Sequence, residues 1–134
     1  MNSAIKIVGS VFCISTCFTA QAQGVNKLYD FAINKAVHYQ LKKGQLDMWF
    51  WHFENGTYTA KMKGMSPDGH AIEMNMAGDW KVEGTSVCRY QVSPEPKVFC
   101  EQIRSLEEGK TIVSDDNLFD VTLENSSPIT KETN

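Results

Sequence analysis

Four methionines flank a histidine in the sequence near the middle of this chain. The group consists of Met62, Met65, His70, Met74 and Met76. Thioether sulfur and imidazole nitrogen are ligands that suit soft ions such as Cu(I) and Ag(I). Met62, His70, Met74 and Met76 therefore form a candidate site for one of these ions.

The same methionines have a second interpretation, in which they line an apolar interior and the protein has no resident cofactor. Between Ile72 and Glu83 apolar residues alternate with charged ones, as in a strand with one face buried. Methionine fills irregular cores and packs well against aromatic rings. A predicted pocket for a small apolar ligand follows, and its lining residues are Trp49, Trp51, Met62, Met74, Met76 and Trp80.

The sequence predicts no catalytic residues. His38, His52 and His70 are the available histidine bases, and none accompanies a G-x-S-x-G nucleophile motif. Neither a glycine-rich phosphate loop nor an H-E-x-x-H zinc motif is present. The aspartates at 115, 116 and 120 lack the glycine and the final glutamate of a calcium loop. We therefore expect a protein that is not an enzyme.

The first 22 residues have the pattern of a cleavable signal peptide. Lys6 precedes an apolar run at 7–14, and Ala20-Gln21-Ala22 matches a cleavage site. That run is too short to span a bilayer. We expect a mature protein that begins at Gln23 and is periplasmic or secreted. The chain's net charge of −3 argues against a nucleic-acid partner.

Cysteine usage agrees with export. Cys13 and Cys17 would leave with the signal peptide, so Cys88 and Cys100 remain as a pair. In an oxidising compartment such a pair is expected to form a disulfide.

Hydrophobic periodicity predicts one mostly β domain over residues 23–124, followed by a frayed polar tail at 125–134. Apolar residues at three- and four-residue spacing predict a helix over 25–43. From Gln45 onward the period is two, and turn signals recur at short intervals. We expect an N-terminal helix followed by a six- or seven-stranded antiparallel meander that curls into a half-open barrel.

The turns allow the inner face to be predicted for the first hairpin. If Asn55-Gly56 forms a two-residue type I′ turn, Trp51 pairs with Ala60 on the inner face. Trp49 then also points inward, whereas Phe50 and His52 lie on the wetter face.

The later turns extend the same register. A three-residue loop at Pro67-Asp68-Gly69 sets Met62 against Met74, and another at Glu83-Gly84-Thr85 sets Trp80 against Cys88. The turn near Pro94 sets Cys88 against Cys100. The disulfide is therefore expected to join neighbouring strands beside Trp80.

Three segments of the predicted sheet carry a family resemblance. They are Trp51-x-Phe53-x-Asn55-Gly56-Thr57-Tyr58, then Gly78-x-Trp80-x-Val82, then Cys88 and Cys100. This pattern, over residues 45–105, resembles small exported lipocalin-like proteins of bacteria. The resemblance implies a barrel with a ligand cavity and assigns no functional residue.

Three functions are compatible with these features. The first is an exported, non-catalytic binding or accessory protein that takes a small apolar ligand or an exported protein partner. The second is a periplasmic Cu(I) or Ag(I) binder. The third is a secreted inhibitor or virulence-type partner protein, which would dock through an exposed patch that includes Phe50 and His52.

Overall fold

The computed structural model describes residues 27–128 as a curled half-barrel of eight antiparallel strands. The predicted signal peptide lies outside the described residues, as do positions 129–134 of the predicted tail. In chain order the elements are a short 3₁₀ helix (Asp30–Ala32) and the strands β1 (Ala36–Leu41), β2 (Leu46–His52), β3 (Thr57–Met65), β4 (Ala71–Glu83), β5 (Ser86–Ser93), β6 (Lys97–Gln102), β7 (Thr111–Val113) and β8 (Phe119–Glu124).

The strands form a single sheet in the order β6-β5-β4-β3-β2-β1-β8-β7. The predicted antiparallel, half-open architecture is confirmed, with eight strands rather than six or seven. Strands β6 and β7 are the free edges, and side chains connect the regions around them: Asp115 accepts a hydrogen bond from the Gln102 amide at 2.9 Å. None of the helices in the described range is long and apolar enough to cross a membrane.

The predicted N-terminal helix is wrong within the described range. Residues 36–41 form β1, which pairs with β2 on one side and with β8 on the other. Val37 and Tyr39 are strand-favouring residues that alternate onto the buried face. Gly44, at φ +124°, lies in the turn to β2 and does not end a helix. The apolar spacing fits both a helix and a strand, and pairing with β2 and with the distant β8 favours the strand.

The first hairpin has a longer loop than predicted. The Phe53 amide donates to the Thr57 carbonyl at 2.9 Å, which leaves a three-residue loop with Gly56 at φ +89°. A glycine in the left-handed region at this position is typical of three-residue hairpin loops. The extra residue changes the pairing to His52 with Tyr58 and Trp51 with Thr59.

This shift reverses the predicted faces of β2. Phe50 and His52 point into the barrel, and His52 is completely buried. Trp49 and Trp51 lie on the outer face instead of the inner one. Trp51 is nevertheless covered, because its indole N–H donates to the carbonyl of Ser126 at 3.1 Å. A one-residue change in register moves every side chain of a strand to the opposite face.

Trp49 belongs to a polar cluster on the outer face. The ring of His38 stacks on the Trp49 indole with 4.7 Å between their centroids. The two nitrogens of His38 contact carboxylate oxygens of Asp47 at 2.7 Å and of Glu124 at 2.6 Å. These contacts connect β2, β1 and β8 outside the barrel.

The hairpin between β3 and β4 has the predicted register. Met62 pairs with Met74 and Lys63 with Glu73, around the loop Pro67-Asp68-Gly69. Gly69 has φ +90°, which suits this turn. The methionines therefore lie on the inner face, as expected.

The β4–β5 hairpin differs from the prediction. Its loop contains two residues, Gly84 and Thr85, so Trp80 pairs with Arg89 and Lys81 with Cys88. Cys88 does pair with Cys100, and their disulfide joins β5 to β6 as predicted. Because Cys88 and Arg89 point to opposite faces of β5, the disulfide is not beside Trp80 but on the other side of the sheet.

Candidate functional site

A cavity of about 540 Å³ lies inside the half-barrel, between β6 and the segment that leads into β8. Its walls are mostly apolar and come from seven of the eight strands, all except β7. The methionines and phenylalanines that line it are Met48, Phe50, Met62, Met74, Met76, Phe99 and Phe119. Its floor and its mouth carry charged side chains.

Three of the methionines form a row across the inner face. Met48 of β2 pairs with Met62 of β3, and Met62 pairs with Met74 of β4. Neighbouring strands are about 4.8 Å apart, so the row extends across three adjacent strands of a concave surface. Met76 lies two residues beyond Met74 on the same face. We call Met48, Met62 and Met74 the methionine row.

Arg89 forms the floor of the cavity and is 3% exposed. Its Nε donates to His52 Nε2 at 2.8 Å, and its Nη1 donates to Glu101 at 2.6 Å. Its Nη2 donates to the hydroxyls of Tyr29 at 3.1 Å and Tyr39 at 3.3 Å. Four of the five N–H groups of the guanidinium thus have protein acceptors.

The surroundings of Arg89 set the protonation of its partners. Burial, reinforced by the nearby guanidinium, holds the pKa of His52 well below its ordinary value. Since Nε2 accepts the Arg89 hydrogen bond, the neutral ring carries its proton on Nδ1. Burial raises the pKa of Tyr29 and of Tyr39, so both stay protonated. Arg89 and Glu101 are then the only charged members of this five-residue network.

Two acceptor oxygens near the floor have no donor within residues 27–128. Tyr39 and Arg89 both donate to Oε2 of Glu101, and within residues 27–128 nothing donates to its Oε1. Gln91, another lining residue, is 6% exposed. Its Nε2 donates to the Glu95 carbonyl at 2.8 Å, whereas its Oε1 has no partner in the described part of the chain.

The mouth of the cavity carries mainly negative charge. Glu95 and Lys97 line it from the β5–β6 side, and Asp115 and Asp116 line it from the other side. Arg104 forms an ion pair with Asp115 at 3.2 Å and offsets one of these charges. The mouth is therefore a negative rim around an apolar interior.

The structure brings together only some of the predicted ligand-binding residues. Met62, Met74 and Met76 line the cavity, but Trp49 and Trp51 are on the outer face. Trp80 is on the inner face next to the floor residues, with its ring 5.4 Å from that of His52, and it does not line the cavity.

His70 is separated from the methionines with which it was grouped. It lies in the β3–β4 loop with 81% of its side chain exposed, and it contacts Asp68 at 3.0 Å. It does not line the cavity. In residues 27–128, no three His, Cys, Asp or Glu side chains are arranged to hold a metal ion.

Sequence reasoning missed Met48, Arg89, Gln91 and Glu101. The alternation Val87-x-Arg89-x-Gln91 places two polar residues on the same face as a core valine, which was the available signal for a polar floor. Phe50 and His52, which were predicted to form an exposed protein-docking patch, are buried.

Comparison with known proteins adds no functional assignment. No protein-family model matches this chain, and no curated protein or solved structure matches it.

Proposed function

We propose that this protein is an exported, non-catalytic binding protein that holds a small apolar ligand inside its half-barrel. The observation that carries the proposal is the cavity of about 540 Å³. This volume falls within the range of about 300–1,000 Å³ common for small-molecule sites. The sequence pattern of residues 1–22 and the disulfide support export, and the resemblance to lipocalin-like proteins agrees with a ligand-holding barrel.

The cavity walls support an apolar ligand. Four methionines and three phenylalanines present carbon and thioether surface that gains free energy when a ligand displaces water. Methionine is flexible and polarisable, so the walls can adapt to ligands of different shape.

The polar floor supports binding rather than catalysis. His52 Nε2, the lone pair that a general base would use, accepts a hydrogen bond from Arg89. Glu101 is held by Arg89 and by the hydroxyl of Tyr39. These groups hydrogen-bond to one another at the base of the cavity.

A bulky substitution in the cavity tests this function. The neutral fluorescent probe N-phenyl-1-naphthylamine should bind the parent protein, and Met74→Trp should weaken its binding by about tenfold or more, because the indole fills the space. Asn75→Trp is the matched control, since Asn75 is the next residue of β4 and is exposed on the outer face. Fluorescence titration measures the affinity of the parent and of both variants for the probe. Thermal unfolding checks that the variants fold. Failure of the parent to bind the probe, or equal weakening by both variants, would contradict the proposal.

The methionine row favours a second candidate function, the binding of Cu(I) or Ag(I). Three thioethers project from adjacent strands into one concave space, with Met76 beside them. Soft thioether sulfur suits these ions. The candidate ligands are then Met48, Met62, Met74 and Met76, without His70.

Leucine substitution separates this candidate from simple core packing. Met62→Leu with Met74→Leu approximates the side-chain volume and removes two thioethers, so we expect the fold to persist and Cu(I) affinity to fall by about a hundredfold. Met65→Leu is the control, because Met65 is exposed and outside the cavity. Competition with a chromogenic Cu(I) chelator in ascorbate, which spares the disulfide, measures the affinity. Equal affinity of parent and double variant would exclude the site.

A further inference from the structure

We propose that the cavity selects an amphiphilic cation, with a protonated amine head and an apolar tail, over a fatty carboxylate. This inference rests on the proposed ligand-binding function and names its ligand class.

A buried arginine in an apolar cavity would ordinarily suggest a carboxylate ligand, because the guanidinium pairs well with carboxylates. Here Arg89 is already engaged. Glu101 supplies its carboxylate at 2.6 Å, and His52 and two tyrosines accept from its other nitrogens. A ligand carboxylate would have to displace these acceptors and would lie next to the Glu101 charge.

Two unused oxygens of the lining are acceptors and suit a ligand that donates, while one N–H of Arg89 is the unused donor beside them. Gln91 Oε1 is buried and has no donor within the described residues, and Glu101 keeps its Oε1. A primary ammonium has three N–H donors and no acceptor. An ammonium can donate to oxygens of this kind, whereas a carboxylate has no proton to donate.

The charges of the lining also favour a cationic ligand. Four carboxylates line the cavity against two cations, and Arg104 outside the lining offsets one of them. The net charge of the lining is therefore negative, and a cleft with low-dielectric walls concentrates ligands of the opposite sign. The carboxylates and cations that line it are Glu95, Glu101, Asp115, Asp116, Arg89 and Lys97.

The aromatic side chains of the walls are also compatible with a cation. Arg89 already lies 4.6 Å from the centroid of the Phe50 ring, which shows that this ring accepts a cation on its face. Phe99 and Phe119 line the same space.

Three probes with the same decyl chain test the inference. Decylammonium, decan-1-ol and decanoate are titrated by calorimetry against the full mature chain at neutral pH. We expect decylammonium to bind about tenfold more tightly than decanoate at about 0.01 M salt, and the difference to shrink at about 0.15 M, where the Debye length falls from about 30 to about 8 Å. Decan-1-ol should lie between them.

Charge reversal at the mouth gives a second measurement. Glu95→Lys should lower decylammonium affinity by about fivefold and raise decanoate affinity. Glu54→Lys is the matched control, because Glu54 is exposed in the β2–β3 loop and does not line the cavity.

The outcomes separate this inference from the function on which it rests. Tighter binding of decanoate than of decylammonium, or equal binding with no response to Glu95→Lys, overturns the choice of a cation and leaves apolar ligand binding intact. Failure of all three probes to bind overturns both the choice of a cation and the proposed ligand-binding function. Preference for decylammonium that is lost in Glu95→Lys and retained in Glu54→Lys supports the inference.

Discussion

Replacing Arg89 with alanine is expected to lower the free energy of unfolding by about 3–5 kcal/mol, as found when one partner of a buried ion pair is removed. The guanidinium is 3% exposed and donates to His52, Glu101, Tyr29 and Tyr39. Its loss removes the donor to His52 and to both tyrosine hydroxyls and leaves the Glu101 carboxylate without its cation inside the barrel. Urea unfolding followed by circular dichroism measures the change.

Two further variants define the origin of this loss. Arg104→Ala removes an exposed arginine that also pairs with a carboxylate, and we expect a loss of about 1 kcal/mol or less. Arg89→Met combined with Glu101→Gln removes both charges, so it should be less destabilising than Arg89→Ala. A loss below about 1 kcal/mol for Arg89→Ala would mean that the network does not stabilise the fold.

Trp80→Ala is expected to lower the free energy of unfolding by about 3–5 kcal/mol, because it opens a large cavity in the core. The Trp80 ring is buried 5.5 Å from Tyr29 and 5.4 Å from His52. Its indole N–H donates to the Phe53 carbonyl at 2.9 Å, which also ties β4 to the β2–β3 loop.

A milder substitution at the same position is the control for this prediction. Trp80→Phe keeps an aromatic ring and loses the indole hydrogen bond, so we expect a loss of about 1–2 kcal/mol. Thermal and urea unfolding of both variants measure the difference. A loss below about 1 kcal/mol for Trp80→Ala would show that the inner face of β4 is assigned incorrectly.

The β2–β3 and β4–β5 hairpins, whose registers were predicted incorrectly, show the limit of prediction from local sequence pattern. Period-two alternation identified the strands and the turns between them. It did not determine whether the first loop had two or three residues, although Asn55-Gly56 was recognised as its turn. Because side chains alternate between faces, that single residue decided whether Trp51 or His52 entered the barrel.

The sequence alone determined the class of the fold, the antiparallel pairing, the disulfide between Cys88 and Cys100, and the placement of Met62 opposite Met74. These depend on short-range turn chemistry and on alternation within a strand, which neighbouring residues specify. The disulfide needed only an even pair of cysteines on strands joined by a tight turn.

Only the tertiary structure decided that residues 36–41 form a strand and that Arg89 lies inside the barrel. Strand β1 is extended because β2 and β8 pair with it from both sides, and β8 is distant in sequence. A buried guanidinium requires compensating acceptors, and those of Arg89 come from His52, 37 residues away, and from Tyr29, 60 residues away. No local pattern specifies such partners, since the sheet must curl before they meet.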